Sequence, residues 1–260
     1  MTLDLIQIIY ISGLGIIVGL ISSLFGLGGG VLLIPLLPFI VPFEPSETVM
    51  ISLICITAIV SLNLWAFNRQ KIVSWPLVWR LGIMAAVGGF VASQMALSFD
   101  GVVIRWITGV VLILLAIRMI FFGKNDAPEF LKKHRALMPM SFVAGYFSGL
   151  VGVGTGAIMG PVLYGTRVIE DRMVSPTING MLVLAALTAT ISYVYKSVSG
   201  DWIELTAIHY EVVIIVSFFS GISSFWGRRQ QLGIDPELRR KLLGGILFLL
   251  AGSTIVPLIL

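Results

Sequence analysis

One stretch of this chain occurs twice. Residues 19–35 read GLISSLFGLGGGVLLIP, and residues 145–161 read GYFSGLVGVGTGAIMGP. Gly19, Ser22, Leu24, Gly26, Gly28, Gly30 and Pro35 recur as Gly145, Ser148, Leu150, Gly152, Gly154, Gly156 and Pro161. An offset of 126 positions (145 minus 19) in so apolar a chain points to two homologous membrane halves rather than to a solenoid. The shared residues are mostly glycines, with one proline, set in hydrophobic sequence where the backbone must change direction. Broken helices placed symmetrically in two halves are the sequence pattern of a transporter's binding site.

Hydropathy sets the class. The chain is 57% hydrophobic and 12% charged, against about 25% charged residues in soluble domains. Apolar runs long enough to cross a hydrocarbon core of about 30 Å recur along it. They fall at 5–25, 27–41, 47–67, 75–97, 102–122, 137–151, 154–166, 173–196, 203–226 and 239–259. The expected architecture is all-α: a polytopic helical membrane protein forming one integrated transmembrane domain. Residues 1–122 make the first repeat, 123–136 a polar cytoplasmic linker and 137–260 the second repeat.

Charge decides the topology. If 5–41 and 137–166 were ordinary single crossings, Lys and Arg would divide evenly between the two faces. If each is a hairpin that enters and leaves on one face, 15 of the 17 Lys and Arg share a face, and only Arg105 and Lys196 lie opposite. The positive-inside rule favours the hairpins and puts both termini outside the cell membrane. Each half is then a broken-helix hairpin plus three crossings. An odd number of crossings per half gives the repeats inverted topology. The closing helices repeat as well: Arg105, Gly109, Leu112 and Ala116 match Arg240, Gly244, Leu247 and Ala251. The two arginines are expected to snorkel to lipid headgroups. The basic residues therefore read as topology determinants, and no nucleic-acid partner is expected. Cys55 stands alone and His134 and His209 are far apart, so neither a disulfide, a metal site nor a cofactor is expected.

The glycine clusters are the candidate site. A break at Gly28, Gly29 and Gly30, or at Gly154, Thr155 and Gly156, exposes unpaired N–H groups at the start of the following half-helix. Those groups and the helix dipole suit an anion. Ser22, Ser23, Ser148 and Thr155 add hydroxyls. Ser52 and Asn179, 17 and 18 residues after the repeated prolines, occupy matching places on the next helix, with Thr177 beside Asn179. The competing reading of the glycines is close helix packing, as in Gly15-x3-Gly19 and Gly145-x3-Gly149. His209 and Glu211 lie near the start of segment 203–226 and are candidates for proton coupling or for the membrane interface.

The two glycine-rich segments, each followed by proline, resemble the TauE/SafE family of sulfite-exporter-like membrane proteins. Gly26-Leu27-Gly28-Gly29-Gly30 fits the family motif, while Thr155 replaces a glycine in the second copy. The resemblance covers nearly the whole chain. It implies a cytoplasmic-membrane transporter of small anions, sulfite or organosulfonates, often outward. An anion channel is the alternative within transport. An intramembrane serine hydrolase built on Ser148 and His209, or a non-transporting scaffold, is less well matched, because Ser148 lacks the nucleophile-elbow spacing.

Overall fold

A computed structural model describes residues 3–26, 28–96, 99–121, 134–198, 209–230 and 236–259. Among these residues it is all helical: α1 Leu5–Phe25, α2 Gly30–Ile40, α3 Pro45–Arg69, α4 Trp75–Met95, α5 Gly101–Phe121, α6 His134–Val151, α7 Gly156–Thr166, α8 Asp171–Val198, α9 Tyr210–Gln230 and α10 Pro236–Ile259. Each of the ten apolar segments has its helix. Most of the 123–136 linker and the first residues of segment 203–226 lie outside the described residues. Six helices (α1, α3, α4, α5, α8 and α9) are long and apolar enough to cross a membrane. This is a multi-pass membrane protein.

Local chemistry sets the helix ends. Asp4 opens α1 in a capping box, its N–H donating to the Gln7 side chain at 3.1 Å. Glu44 and Glu47 form the same device on α3, with Pro45 in the first turn, where its missing N–H costs nothing. α1 stops at Gly26, whose φ of 72° is left-handed and whose N–H closes on the Ser22 carbonyl. α2 then turns back along α1. The Gln7 amide donates to the Ile40 carbonyl at 3.4 Å, so the start of α1 and the end of α2 lie together.

The repeated glycines nearest the start of each motif are used for packing. α1 lies on α9, where a Cβ on Gly19 would sit 2.2 Å from the Ser220 carbonyl oxygen. α6 lies on α4, where a Cβ on Gly145 would sit 2.0 Å from the Ala85 carbonyl oxygen. Such contacts need small residues, because in lipid helices associate through close packing and interhelical hydrogen bonds. Ser220 Oγ donates to the Gly15 carbonyl at 2.7 Å and Ser141 Oγ to the Leu81 carbonyl at 2.6 Å. Helix partners correspond when α1–α5 are exchanged for α6–α10 in order. α1 on α9 becomes α6 on α4, α3 on α9 becomes α8 on α4, and α2 on α3 becomes α7 on α8. The pairs α3 with α8 and α5 with α10 map onto themselves.

Candidate functional site

The two glycine breaks meet inside the bundle. In the first, Gly26, Gly28 and Gly29 have φ of 72°, 82° and 82°. In the second, Gly152 and Gly154 have 73° and 91°. A side chain in this region costs about 1–2 kcal/mol, so these are positions where the sequence needs glycine. The turns begin alike: the Gly26 N–H donates to the Ser22 carbonyl and the Gly152 N–H to the Ser148 carbonyl, each at 2.8 Å. A Cβ on Gly30 would lie 2.1 Å from the Gly152 carbonyl oxygen, so the two tips touch backbone to backbone. Ser52 Oγ donates to that same carbonyl at 3.2 Å and ties α3 to the contact.

Helices α3 and α8 hold the first tip between them. Ser52 and Ile56 face Gly30, and Ile59 approaches Gly29. On α8, Ser175 touches Gly26 and Leu182 touches Gly28. Asn179, at the intermediate i+4 position, shares that face.

Two kinds of unused polar group lie on the elements that form the tips. The first intrahelical donors of α2 are Leu32 and Leu33, both to the Gly29 carbonyl, so the N–H groups of Gly30 and Val31 precede the ladder. In α7, Met159 bonds back to the Thr155 carbonyl at 2.9 Å, leaving Thr155 and Gly156 in the same position. The side chains of Thr155 and Ser175 and the Asn179 Oδ1 are fully or almost fully buried with no hydrogen-bond partner. Buried polar atoms are normally paired, and each unpaired one costs about 1–3 kcal/mol. Ser175 lies against Gly26 of the first tip, Thr155 opens the second, and the Asn179 Nδ2 donates to the Ser175 carbonyl at 2.8 Å.

The other sequence candidates are placed differently. Ser22 Oγ is also buried and unpaired, but Ser22 and Gly29 line a narrow crevice with Ile21, Val31, Leu32, Leu243 and Ile246, toward α10. Ser23 donates to the Leu20 carbonyl at 2.9 Å and packs beside Gly227 of α9. Thr177 accepts the Ser74 N–H at 3.1 Å and pins the α3–α4 turn. Ser148 is buried on α6, one turn before the second break. His209 lies against Phe43, ring centroids 4.8 Å apart, and its carbonyl caps α9. Glu211 is exposed in the first turn of α9, where a carboxylate suits the dipole. Neither reaches the tips, and no hydrogen bond joins His209 to Ser148. Among the described residues no group of His, Cys, Asp and Glu could hold a metal.

Sequence reasoning passed over Ser175. Its signal was present: it stands four residues before Asn179 and directly before Pro176, inside a helix. Arg228, counted from sequence only among the basic residues of one face, is half-buried on α9 and donates to Asn63 Oδ1 and to Ser224 Oγ.

A membrane bundle with two touching, glycine-broken hairpins is the class that the fold and site define. The family model described as Sulfite exporter TauE/SafE matches residues 11–254, and the chain belongs to that family. A probable membrane transporter protein of Haemophilus influenzae is 27% identical over 249 residues, 91% of each chain. Another, of Methanocaldococcus jannaschii, is 26% identical over 242 residues, 90% of each. The probable membrane transporter protein YunE of Bacillus subtilis is 22% identical over 225 residues, covering 75% of this chain and 81% of the relative. No solved structure matches the chain.

Proposed function

We propose that this protein is a secondary transporter of the cell membrane that moves small sulfur-containing oxyanions, sulfite or organosulfonates, by alternating access. The observation that carries the reading is the set of buried, unpaired Thr155 and Ser175 hydroxyls and Asn179 Oδ1 on the elements that form the two tips, together with the unbonded N–H groups that open α2 and α7. Backbone amides and neutral side chains would bind the anion without a buried cation, so it can leave again. The family membership and the names of the relatives support transport. The exchangeable helix pairing and the Gln7–Ile40 clasp support two inverted halves, each a hairpin plus three crossings. One half rocking against the other would expose the tips to each face in turn.

The test is flux in proteoliposomes of purified protein, comparing sulfite, ethanesulfonate, thiosulfate and acetate with and without a proton gradient. Saturable movement of the sulfur oxyanions, lost in Asn179→Leu and Thr155→Val, is expected. No flux of any anion in verified, correctly folded vesicles would sink the reading. A flux that does not saturate would point to a channel.

A further inference from the structure

A cavity with a largely apolar wall and a few polar side chains lies outside the tips. It is about 230 Å³, walled by Ile34, Pro35, Pro38 and Phe39 of α2, Thr48 and Val49 of α3, Arg105 and Thr108 of α5, and Ser253 and Thr254 of α10. One water needs only about 10–15 Å³, so this space is large enough for a small oxyanion. Three features give it chemistry. Arg105 is exposed, with no ion pair or hydrogen bond among the described residues. Four hydroxyls surround the space. Each is turned onto a carbonyl of its own chain: Thr48 onto Glu44 at 3.0 Å, Thr108 onto Ile104 at 2.7 Å, and Ser253 and Thr254 onto Leu250 at 2.8 Å. A χ1 rotation redirects such a proton to an incoming acceptor. Finally, the inner wall is shared with the tips. A Cβ on Gly152 would come 2.6 Å from Ile34 Cδ1 and 3.4 Å from Val49 Cγ1. Ile34 and Val49 are thus the floor of the cavity and the cover of the second tip.

We propose that this cavity is an entrance vestibule for the anion path, with Arg105 as the cation that gathers oxyanions and the Ile34–Val49 pair as the barrier between vestibule and tips. The inference rests on the hairpin-tip reading of the site. The ligand is an oxyanion, and a lipid phosphate has the same chemistry as a free sulfonate. The vestibule reading requires the free anion.

The experiment uses full-length protein with Cys55→Ala and Ser253→Cys, reconstituted in zwitterionic vesicles. Two methanethiosulfonate reagents are compared, one bearing a sulfonate and one a quaternary ammonium. The sulfonate reagent should react faster, from one face only, by about tenfold or more, as expected for a charged, low-dielectric cleft. Arg105→Gln should abolish that preference and Arg105→Lys should retain it, which separates charge from misfolding. Ethanesulfonate should protect the cysteine, while chloride at equal ionic strength should not. A cysteine at Gly252, which faces open space on α10, should show no dependence on Arg105. Equal rates for the two reagents, unaffected by Arg105→Gln, would overturn the proposal. So would protection that requires anionic phospholipid and not ethanesulfonate, since that marks a headgroup site. If instead the tip variants bind ethanesulfonate normally while the charge preference persists, the tip reading fails and the cavity stands as an anion site of its own.

Discussion

The two hairpin tips share a glycine skeleton and differ at one place. Gly29 opens the helix of the first tip with a left-handed φ of 82°, while Thr155 opens the second with an ordinary helical φ of −60°. The first tip obtains its shape from three left-handed glycines and carries no side-chain donor of its own. The second needs only two, and the released position carries a buried hydroxyl. One tip offers only backbone amides, whereas the other adds a side chain that can be tuned. A duplicated motif can therefore keep the same turn and diverge in the groups it presents.

Substitutions can break that comparison. The largest effect should come from Gly30→Ala, whose Cβ would lie 2.1 Å from the Gly152 carbonyl oxygen and 2.4 Å from Ile56. A loss of about 3 kcal/mol or more is expected, read as a lowered Tm in detergent together with loss of ethanesulfonate binding. A wild-type Tm would mean that the tips do not touch. Next come the differing positions. Gly29→Ala should cost about 1–2 kcal/mol of stability through its positive φ. Thr155→Ala strains nothing and removes an unpaired hydroxyl, so stability should hold or rise by about 1 kcal/mol while anion affinity falls about tenfold. Opposite signs in stability and affinity are the signature of a ligand group, and a joint fall would make Thr155 structural. Ser175→Ala should resemble Thr155→Ala, whereas Ser22→Ala, facing the crevice, should change affinity less. Ser52→Ala removes the bond to Gly152 and should cost about 1 kcal/mol. The smallest effects are expected for His209→Gln and Glu211→Gln, which should leave gradient-driven flux within about twofold, since neither side chain reaches the tips. Loss of gradient dependence in either variant would restore it as a proton relay.

The sequence made the helices legible because hydropathy and the repeated Gly–Pro punctuation both act locally. Gly26 and Gly152 end their helices where the motif breaks, and Pro45 and Pro76 start theirs. The motif did not say which of its glycines turn the chain and which admit a neighbour. Gly19 and Gly145 look like Gly26 and Gly152 in sequence, yet they serve the α1–α9 and α6–α4 contacts. That distinction depends on a helix from the other half, which local pattern does not identify. For the same reason Thr177 and Asn179, two residues apart, have different partners: Thr177 accepts the Ser74 N–H of the α3–α4 turn, while the Asn179 Nδ2 donates to the Ser175 carbonyl of its own helix. A polar residue in an apolar helix is visible from sequence, but the direction it points is fixed only by packing.

The α1–α9 contact has a consequence for biosynthesis. The bond from Ser220 to Gly15 spans 205 residues. At about 5–20 residues per second, a ribosome needs roughly 10–40 s after making α1 before its partner exists. Throughout that interval α1 must wait in the bilayer with its glycine face uncovered. A nascent chain stalled before α9 should therefore present that face to other membrane helices or to an insertion factor, and the first half expressed alone should be unstable until the second is supplied.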